Sequence, residues 1–315
     1  MLHFLFTGGT ISMRHDPAAG GNVPALDGAA LLAQVPQLGA LGPVVAEDWE
    51  RLPAVHRTPA LMWALRTRIA ELVATPGVTG VVVPHGTDTL AEMAYLVART
   101  VEPGIPVVFT GAMRTSSQSG WDGPRNLVDA ARVARDPGSR GRGALVVFAG
   151  RILDGLEAAK LHSSDCDAFG APHGRQLGAV SEGTVRWDAA SRPRPPRVEA
   201  GGLAHRVATI VPELGDDGTL LDLARTRFDG VVLLGYGRGN LPPGAIPAIE
   251  RWIAAGKPVV LASRHPFGEA GAEYAFAGGG GDLVRRGVRL AGPRTPGQAR
   301  LELMLSLAAG RPYPA

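Results

Sequence analysis

Short, mostly apolar segments alternate with longer amphipathic segments along the first half of the chain. The apolar segments have the length of buried strands, and the amphipathic ones have the period of helices that cover a sheet. The predicted strands are Leu2–Phe6, Val44–Leu52, Val78–Val83, Pro106–Gly111 and Ala144–Phe148. The predicted helices are Leu31–Leu38, Pro59–Ala74 with Thr58 as N-cap, Leu90–Arg99 and Leu127–Arg135. Strands and helices that alternate at this spacing predict βαβ units and a mainly parallel sheet.

A smaller set of elements follows a proline- and arginine-rich stretch. Residues 186–204 lack apolar periodicity, which predicts a linker between domains. Beyond this linker we expect strands at Val207–Val211, Gly230–Leu234 and Pro258–Ala262, helices at Gly244–Ala255 and Gln298–Ala309, and a loop at Gly278–Gly281. A chain of 315 residues also exceeds the ~250–300 residues of most single cores. The predicted fold is α/β, with a larger N-terminal flavodoxin-like parallel-sheet domain (1–185) and a smaller C-terminal α/β domain (205–315).

Two polar turns follow predicted strands of the larger domain. Residues 7–10, TGGT, end the first strand, and residues 85–89, HGTDT, end the third. In an open α/β sheet, ligands bind outside the carboxyl ends of the strands, so both turns are candidates for chemistry. Thr87 and Asp88 have an alternative interpretation, because Thr or Asp before a helix can serve as its N-cap.

Two further segments show no regular periodicity. Residues 13–28 are rich in Gly and Pro and are long enough to form a mobile lid. Residues 150–171 are polar and irregular, and they contain Lys160.

Charge and composition exclude several classes of protein. The net charge is only +3 and the basic residues are scattered, whereas a nucleic-acid-binding surface is a concentrated basic face. No apolar stretch approaches the ~18 residues of a membrane span, and the N-terminal one is too short for a signal peptide. The single cysteine, Cys166, excludes an internal disulfide and suits a reducing compartment. We therefore expect a cytoplasmic protein with no nucleic-acid or membrane partner.

Lys160 and Lys257 are the only lysines among 32 basic residues. An amine can lose its proton when desolvated, and a guanidinium effectively cannot. Lys160 is therefore a candidate general base, with an ordinary surface lysine as the alternative. Thr10 is a candidate nucleophile, since the glycines before it expose N–H groups that could stabilise an oxyanion. The turn supplies no base, so a merely packed strand–helix turn is the alternative there.

Metal and dinucleotide sites are not indicated. His162, Cys166 and His173 lack the spacing of a zinc site. Gly235–Gly239 is a glycine-rich loop after a strand, but it lacks the full dinucleotide fingerprint and its downstream acid. We expect neither a metal nor a cofactor.

Several motifs in one order carry a family resemblance. The segments TGGTIS, PHGTDTLAEMAYL, TGAMR…DGPRNL and AKLHSSDCDAF succeed one another, and GYGRGNLP and QARLELMLSLA follow near the end. Together they cover nearly the whole chain. The sequence resembles the bacterial-type L-asparaginases, close to the cytoplasmic type I enzymes.

The resemblance implies roles for the residues of both turns. Thr10 matches the nucleophilic threonine, which attacks the side-chain amide and forms an acyl-enzyme. Thr87, Asp88 and Lys160 match a second group in which the lysine drives proton transfer and the aspartate binds the substrate α-amino group. Backbone N–H groups around Thr10 and Thr87 would form the oxyanion hole, and the neighbouring Gly9 and Gly86 are candidates for substrate binding.

The resemblance also implies contacts farther along the chain. The Ala112 backbone would touch the substrate amide. The family is commonly a homotetramer, so we expect a homo-oligomer, a dimer or a tetramer, that acts on a small amide without a metal or cofactor. Asn240 and one of Glu269 or Glu273 are the candidates for completing a neighbouring subunit's site.

Two positions depart from the family pattern. Asn22 stands where the lid carries a tyrosine, and Ala54 stands where a serine binds substrate, in the segment 52–56 that also offers His56. Both losses concern substrate recognition more than chemistry. A lost hydrogen bond costs on the order of 1 kcal/mol, so we expect an active amide hydrolase with altered affinity or preference.

Three alternatives to L-asparagine hydrolysis follow. The first is a related amide hydrolase that acts on glutamine or a β-aspartyl derivative. The second is a binding protein for aspartate or asparagine without turnover. The third, a subunit of a tRNA-dependent amidotransferase, is disfavoured because its members carry an N-terminal extension and the first strand here begins at Leu2.

Overall fold

The computed structural model describes residues 1–102, 104–191 and 193–314, and the chain divides into two compact units. The first unit comprises residues 1–171 and 175–197. The second comprises residues 172–174 and the chain from 198 onward. Among the described residues, no helix is both long enough and apolar enough to cross a membrane.

One large sheet organises the first unit. Its strands, with those of two small hairpins, are β1 (Leu2–Phe6), β2 (Met13–Asp16), β3 (Gly21–Pro24), β4 (Val44–Asp48), β5 (Gly80–Pro84), β6 (Val107–Thr110), β7 (Ala144–Phe148), β8 (Arg151–Asp154), β9 (Ala159–Lys160), β10 (Phe169–Gly170), β11 (Gly178–Ser181) and β12 (Thr184–Trp187). The eight-stranded sheet has the order β12-β11-β8-β7-β6-β5-β1-β4. Strands β7, β6, β5, β1 and β4 are mutually parallel, and the remaining three are antiparallel.

The parallel part confirms the predicted flavodoxin-like sheet. Numbered by appearance, its strands run 2-1-3-4-5, which is the flavodoxin order. Every residue of β1, β5 and β7 is buried, because helices cover both faces of a parallel sheet. The helices of this unit are α1 (Gly28–Ala33), α2 (Pro59–Ala74), α3 (Leu90–Thr100) and α4 (Gly123–Arg135).

The start of α2 follows the sequence prediction. The Thr58 hydroxyl accepts a hydrogen bond from the Leu61 N–H at 3.3 Å, and Pro59 occupies the first helical position, where its missing N–H costs nothing. The start of α1 was predicted wrongly at Leu31. The Asp27 carboxylate accepts a bond from the Ala30 N–H, so the helix begins at Gly28.

The prediction of an irregular loop at residues 13–28 is wrong. Residues 13–24 form an antiparallel hairpin in which His15 lies opposite Asn22. Its strands are short, largely exposed and polar, and therefore lack the alternation that marks a half-buried strand. Contacts with a distant segment hold the hairpin: the Ser116 N–H donates to the Met13 carbonyl at 3.3 Å, and the His15 N–H donates to the Ser117 hydroxyl at 3.0 Å.

The segment 150–171 is also more regular than predicted. Strand β8 turns back beside β7, and the short strands β9 and β10 pair so that Lys160 lies opposite Phe169. Strand β12 runs into the predicted linker 186–204, since Trp187 pairs with Gly178. Arg192 of that linker lies outside the described residues.

The second unit is built on a four-stranded parallel sheet. Its elements are β13 (Val207–Ile210), α5 (Thr219–Arg225), β14 (Gly230–Gly235), α6 (Ile246–Ala254), β15 (Val259–Ser263), α7 (Gly280–Arg285), β16 (Arg289–Leu290) and α8 (Pro296–Ala308). The strand order is β13-β14-β15-β16, which confirms a smaller α/β layer.

One local prediction in this unit is wrong: Gly280 and Gly281 lie in α7 and not in a loop. A Cβ on Gly280 would lie 1.9 Å from the Gly271 carbonyl oxygen. These glycines permit a close approach of the helix to residues 271–274, so their presence does not indicate an irregular backbone.

Candidate active site

The TGGT and HGTDT turns lie side by side at the point where the strand order reverses. Strands β1 and β5 are neighbours, and β4 lies on the other side of β1, so the connections leave in opposite directions here. The Thr7 N–H and the Thr7 hydroxyl both donate to the Pro84 carbonyl, at 3.1 and 3.0 Å. Such a switch point is the usual ligand crevice of an open α/β sheet.

Two glycines bring the turns into backbone contact. Gly9 has φ +90°, a conformation that favours glycine, and a Cβ at that position would lie 2.3 Å from the Gly86 Cα. A Cβ on Gly86 would lie 2.6 Å from the Ala54 Cβ. Three of the predicted substrate-binding residues, Gly9, Gly86 and Ala54, are therefore packed together.

Lys160 joins the two polar side chains of the HGTDT turn. Its Nζ donates to the Thr87 hydroxyl at 2.9 Å and to the Asp88 carboxylate at 2.7 Å. Thr87 is buried, while the side chains of Lys160 and Asp88 are 20% and 59% exposed. An amine in hydrogen-bond contact with a buried hydroxyl can exchange a proton with it or with a group bound next to it.

The alternative interpretation of Thr87 and Asp88 as helix caps is wrong. The N-cap of α3 is Thr89, and its side chain makes no capping hydrogen bond. The Thr87 hydroxyl and the Asp88 carboxylate accept from Lys160 instead. The ion pair itself is partly exposed and contributes only about 0–1 kcal/mol to stability, which leaves its geometry as the feature of interest.

Thr10 begins a single 3-10 turn beside these groups. It is half-buried, and among the described residues its hydroxyl has no hydrogen-bond partner. Ser12 holds the turn through its N–H and its hydroxyl, which both donate to the Gly9 carbonyl, at 3.0 and 2.9 Å. The Thr10 hydroxyl is therefore available to a bound molecule.

Ala112 is placed by Asn126, a residue that was not predicted to belong to the site. Ala112 is fully buried after β6. The Asn126 side chain donates to the Gly111 carbonyl at 3.0 Å and accepts from the Ala149 N–H at 3.1 Å. Asn126 belongs to the DGPRNL motif, so its position there was the available signal.

A buried polar group under the turns was also missed. His85 is fully buried, and burial, followed by the positive charge of Arg57, lowers the pKa of its imidazole to about 3. Arg57 is paired with Glu50 at 2.8 Å and donates to the Thr7 carbonyl. No sequence signal distinguishes Arg57 from the many other arginines of the chain.

The remaining predicted contacts lie at more exposed positions. His56 is exposed in the 3-10 turn Ala54–His56, and Asn22 is exposed on β3. In the second unit, Asn240 closes a tight turn with Tyr236 through two backbone bonds of 2.9 Å. Glu269 lines a cavity there of about 530 Å³ with Val288 and Leu290, whereas Glu273 is paired with Arg238. No cluster of three or more His, Cys, Asp or Glu side chains suited to a metal ion occurs in the described ranges.

Comparison with known proteins matches the chain along most of its length. The family model "Asparaginase, N-terminal" matches residues 1–192, and "Glutaminase/Asparaginase C-terminal domain" matches residues 206–314. A probable L-asparaginase of Deinococcus radiodurans is 40% identical. The matched region covers 98% of this chain and 93% of the length of that protein. A glutaminase-asparaginase of Pseudomonas aeruginosa is 30% identical. The matched region covers 74% of this chain and 66% of the length of that protein.

A solved structure agrees with these matches. The probable cytoplasmic L-asparaginase of Campylobacter jejuni superposes with a TM-score of 0.82 at 27% identity, over 97% of this chain and 94% of that one. Both family models and a relative at 40% identity agree with the fold. The chain belongs to the asparaginase family.

Proposed function

We propose that this protein is an L-asparaginase, which hydrolyses L-asparagine to L-aspartate and ammonia through a threonine acyl-enzyme. The observation that carries the proposal is the contact of the Lys160 amine with both Thr87 and Asp88, beside the turn that presents the Thr10 hydroxyl. Membership of the asparaginase family supplies the reaction class.

In the proposed reaction, the Thr10 oxygen attacks the side-chain amide carbon and a C–O bond forms. The oxyanion collapses, the C–N bond breaks, and the nitrogen takes up a proton and leaves as ammonia. Water then attacks the Thr10 ester, releasing the carboxylate and restoring the hydroxyl. Lys160, held against Thr87, moves the protons, and N–H groups near Gly9 and Gly86 stabilise the oxyanion.

Substrate recognition is assigned to groups around this centre. The Asp88 carboxylate binds the α-ammonium, and it is exposed enough to be reached by a ligand. The Ala112 backbone contacts the amide, and Ala54, His56 and the hairpin that carries Asn22 line the substrate. The catalytic groups fall in a proposed domain of residues 1–185, joined by the linker 186–204 to a domain of residues 205–315.

The proposal extends to assembly and location. We propose a cytoplasmic homo-oligomer, a dimer or a tetramer, in which Asn240 and Glu269 of one subunit complete the site of another. Glu269 is favoured over Glu273 because Arg238 already pairs with Glu273.

A second candidate is hydrolysis of another amide, such as glutamine or a β-aspartyl derivative. It is favoured by Ala54, which places a methyl group against Gly86 where the family pattern has a hydroxyl, and by Asn22 in place of the lid tyrosine. A relative at 30% identity is named a glutaminase-asparaginase.

The deciding experiment is ammonia release from a panel of L-asparagine, L-glutamine and a β-aspartyl dipeptide. Hydrolysis of asparagine with the highest kcat/KM, abolished by Thr10→Ala, is the expected result. A higher kcat/KM for another amide would favour the second candidate. Retained turnover in Thr10→Ala would overturn the mechanism, and calorimetric binding of aspartate without any ammonia release would identify a binding protein.

A further inference from the structure

Arg57 is a buried cation beneath the two threonine turns. Its side chain is only 1% exposed, and it lies directly after the 3-10 turn Ala54–His56. One guanidinium nitrogen donates to the Glu50 carboxylate at 2.8 Å, and another donates to the Thr7 carbonyl. The guanidinium also lies 5.7 Å from the centre of the Trp49 ring.

A buried arginine at this position carries a cost that an apolar side chain would avoid. Burial lowers the pKa of the Arg57 guanidinium, and the charge of Glu50 compensates only in part. A well-packed apolar residue in place of a buried ion pair is often as stable or more stable. Stability alone therefore does not explain why an arginine occupies position 57. The groups that Arg57 contacts suggest another role.

Thr7 directly follows β1 and is the first residue of the TGGT turn. Thr7 also bonds to Pro84 through its N–H and its hydroxyl, so its peptide unit links both strands that carry the turns. The bond from Arg57 orients this carbonyl. Gly8 is packed against the Leu52 backbone and Gly9 against Gly86, so the turn has little room to move and the orientation of the Thr7 carbonyl determines where Thr10 is presented.

His85 begins the second turn and lies within range of the positive charge of Arg57. Its Nδ1 lies 2.8 Å from the Gly86 carbonyl oxygen, which can only accept, so Nδ1 carries the proton. Its Nε2 is therefore an acceptor, and it is buried without a hydrogen-bond partner among the described residues, as is the Arg57 Nε. The positive charge of Arg57 disfavours a second proton on this ring.

We propose that Arg57, held by Glu50, is a positioning residue that sets the relative placement of Thr10 and Thr87. It fixes the first turn through its hydrogen bond to the Thr7 carbonyl, and Thr7 passes the constraint to the second turn through its two hydrogen bonds to the Pro84 carbonyl, directly before His85. This network keeps the backbones of Gly9 and Gly86 in contact. The inference rests on the proposed function, because it assigns the network a part in that reaction.

The test compares Arg57→Met with Arg66→Met. Arg66 is a matched control on α2: it also donates to a backbone carbonyl, that of Thr100, and it also lies over a tryptophan, Trp63, at 5.0 Å. A displacement of ~1 Å in a reacting group can cost about 100-fold in rate. We expect Arg57→Met to lower kcat about 10- to 100-fold with KM within about three-fold, and Arg66→Met to leave kcat unchanged.

Two further variants keep the test decisive if Arg57→Met fails to fold. Arg57→Lys retains the charge near His85 and loses the planar two-partner geometry, so kcat is expected to recover in part. Glu50→Gln keeps the shape of the anion and loosens Arg57, so a smaller fall in kcat is expected. An unchanged kcat in every Arg57 and Glu50 variant that folds, with only the melting temperature lowered, would overturn the positioning role.

A crystal structure of each foldable Arg57 variant and of Arg66→Met separates this inference from the proposed function. We expect the Gly9–Gly86 backbone contact to open in the Arg57 variants and to persist in Arg66→Met. Unchanged turns in the Arg57 variants would overturn the inference whatever the substrate. If the unsubstituted protein hydrolyses no amide, the proposed function fails, while the displacement of the turns still tests the network.

Discussion

Gly9 and Gly86 lie so close that a methyl group on Gly9 could not be accommodated without moving the backbone. A Cβ on Gly9 would lie 2.3 Å from the Gly86 Cα and 2.6 Å from its nitrogen. These two residues directly precede the threonines assigned to nucleophilic attack and proton transfer. Their contact holds the two turns side by side, so a change in it is expected to shift Thr10 relative to Thr87.

Gly9→Ala is therefore expected to abolish hydrolysis in a folded protein. The new methyl group must separate the turns, and kcat should fall by at least about 100-fold. Gly77→Ala is the control, since Gly77 has a similar φ of +84° but no atom within 4 Å of the position that a Cβ would occupy. It shares the positive φ of Gly9 without the collision. Steady-state ammonia release from both variants checks the prediction, and comparable kcat values in the two would contradict it.

Lys160→Arg is expected to inactivate the enzyme although the positive charge remains. An arginine could still pair with Asp88, but a guanidinium effectively cannot give up its proton. Loss of a general acid–base group costs about 100- to 10,000-fold, and kcat should fall within that range. Thermal unfolding of the variant shows whether the fold persists.

The other lysine of the chain supplies the control for this substitution. The Lys257 Nζ donates to the Arg225 and Phe228 carbonyls at 2.7 and 2.8 Å, which is a structural role in the second unit. Lys257→Arg should lower the melting temperature at most and leave kcat unchanged. A Lys160→Arg variant that keeps more than about a tenth of the original kcat would exclude a proton-transfer role for Lys160.

Ala54→Ser is expected to improve asparagine binding. Ala54 is buried with its methyl group against Gly86, so a serine would place a hydroxyl beside the proposed substrate site. One added hydrogen bond of about 1 kcal/mol corresponds to a roughly five-fold lower KM, with kcat little changed. Val55→Ser is the control, because that side chain is 65% exposed. An unchanged KM in Ala54→Ser would show that the substrate does not reach this position.

The parallel sheet and its helices were predictable because their signals are local. Strand β7 is a continuous apolar run and β1 is apolar except for His3, and the Thr58-Pro59 pair marks the start of α2 within a single turn. The hairpin at residues 13–24 was not predictable in this way. Its strands are mostly exposed, and the hydrogen bonds that hold it come from Ser116 and Ser117, which lie 103 and 102 positions from their partners.

The site residues also divide into those that local sequence motifs indicate and those that only the fold reveals. The motifs indicated Thr87, Asp88 and Lys160 separately, but the lysine contacts the threonine across 73 positions of sequence, and only the fold brings them together. Arg57 and His85 could not be predicted to matter, since the burial of an ionisable group is a property of the packing around it. The catalytic roles themselves remain predictions until the variants are measured.

His85 makes the stability of the protein depend on pH in a direction that can be calculated. Its pKa in the folded protein is lowered to about 3, from an ordinary value of 6.5, chiefly by burial. Between these values the unfolded chain binds a proton that the folded protein excludes. The stabilisation associated with the neutral ring is therefore complete above a pH of about 6.5 and is lost as the pH falls toward about 3. At about pH 5 the loss attributable to this residue is about 2 kcal/mol.

His85→Asn is expected to remove that part of the pH dependence. The asparagine amide keeps a donor near the Nδ1 position but does not titrate, so unfolding free energies at about pH 7.5 and about pH 5 should differ by about 2 kcal/mol less than in the unsubstituted protein. Leu65→Ala is the control: it removes a fully buried side chain that does not ionise, and it should lower stability equally at both pH values. Denaturant unfolding of the unsubstituted protein, His85→Asn and Leu65→Ala at the two pH values tests this prediction. The same pH dependence in His85→Asn as in Leu65→Ala would mean that the His85 ring is protonated at about pH 5 in the folded protein as in the unfolded one, so that Nε2 carries a proton as well as Nδ1.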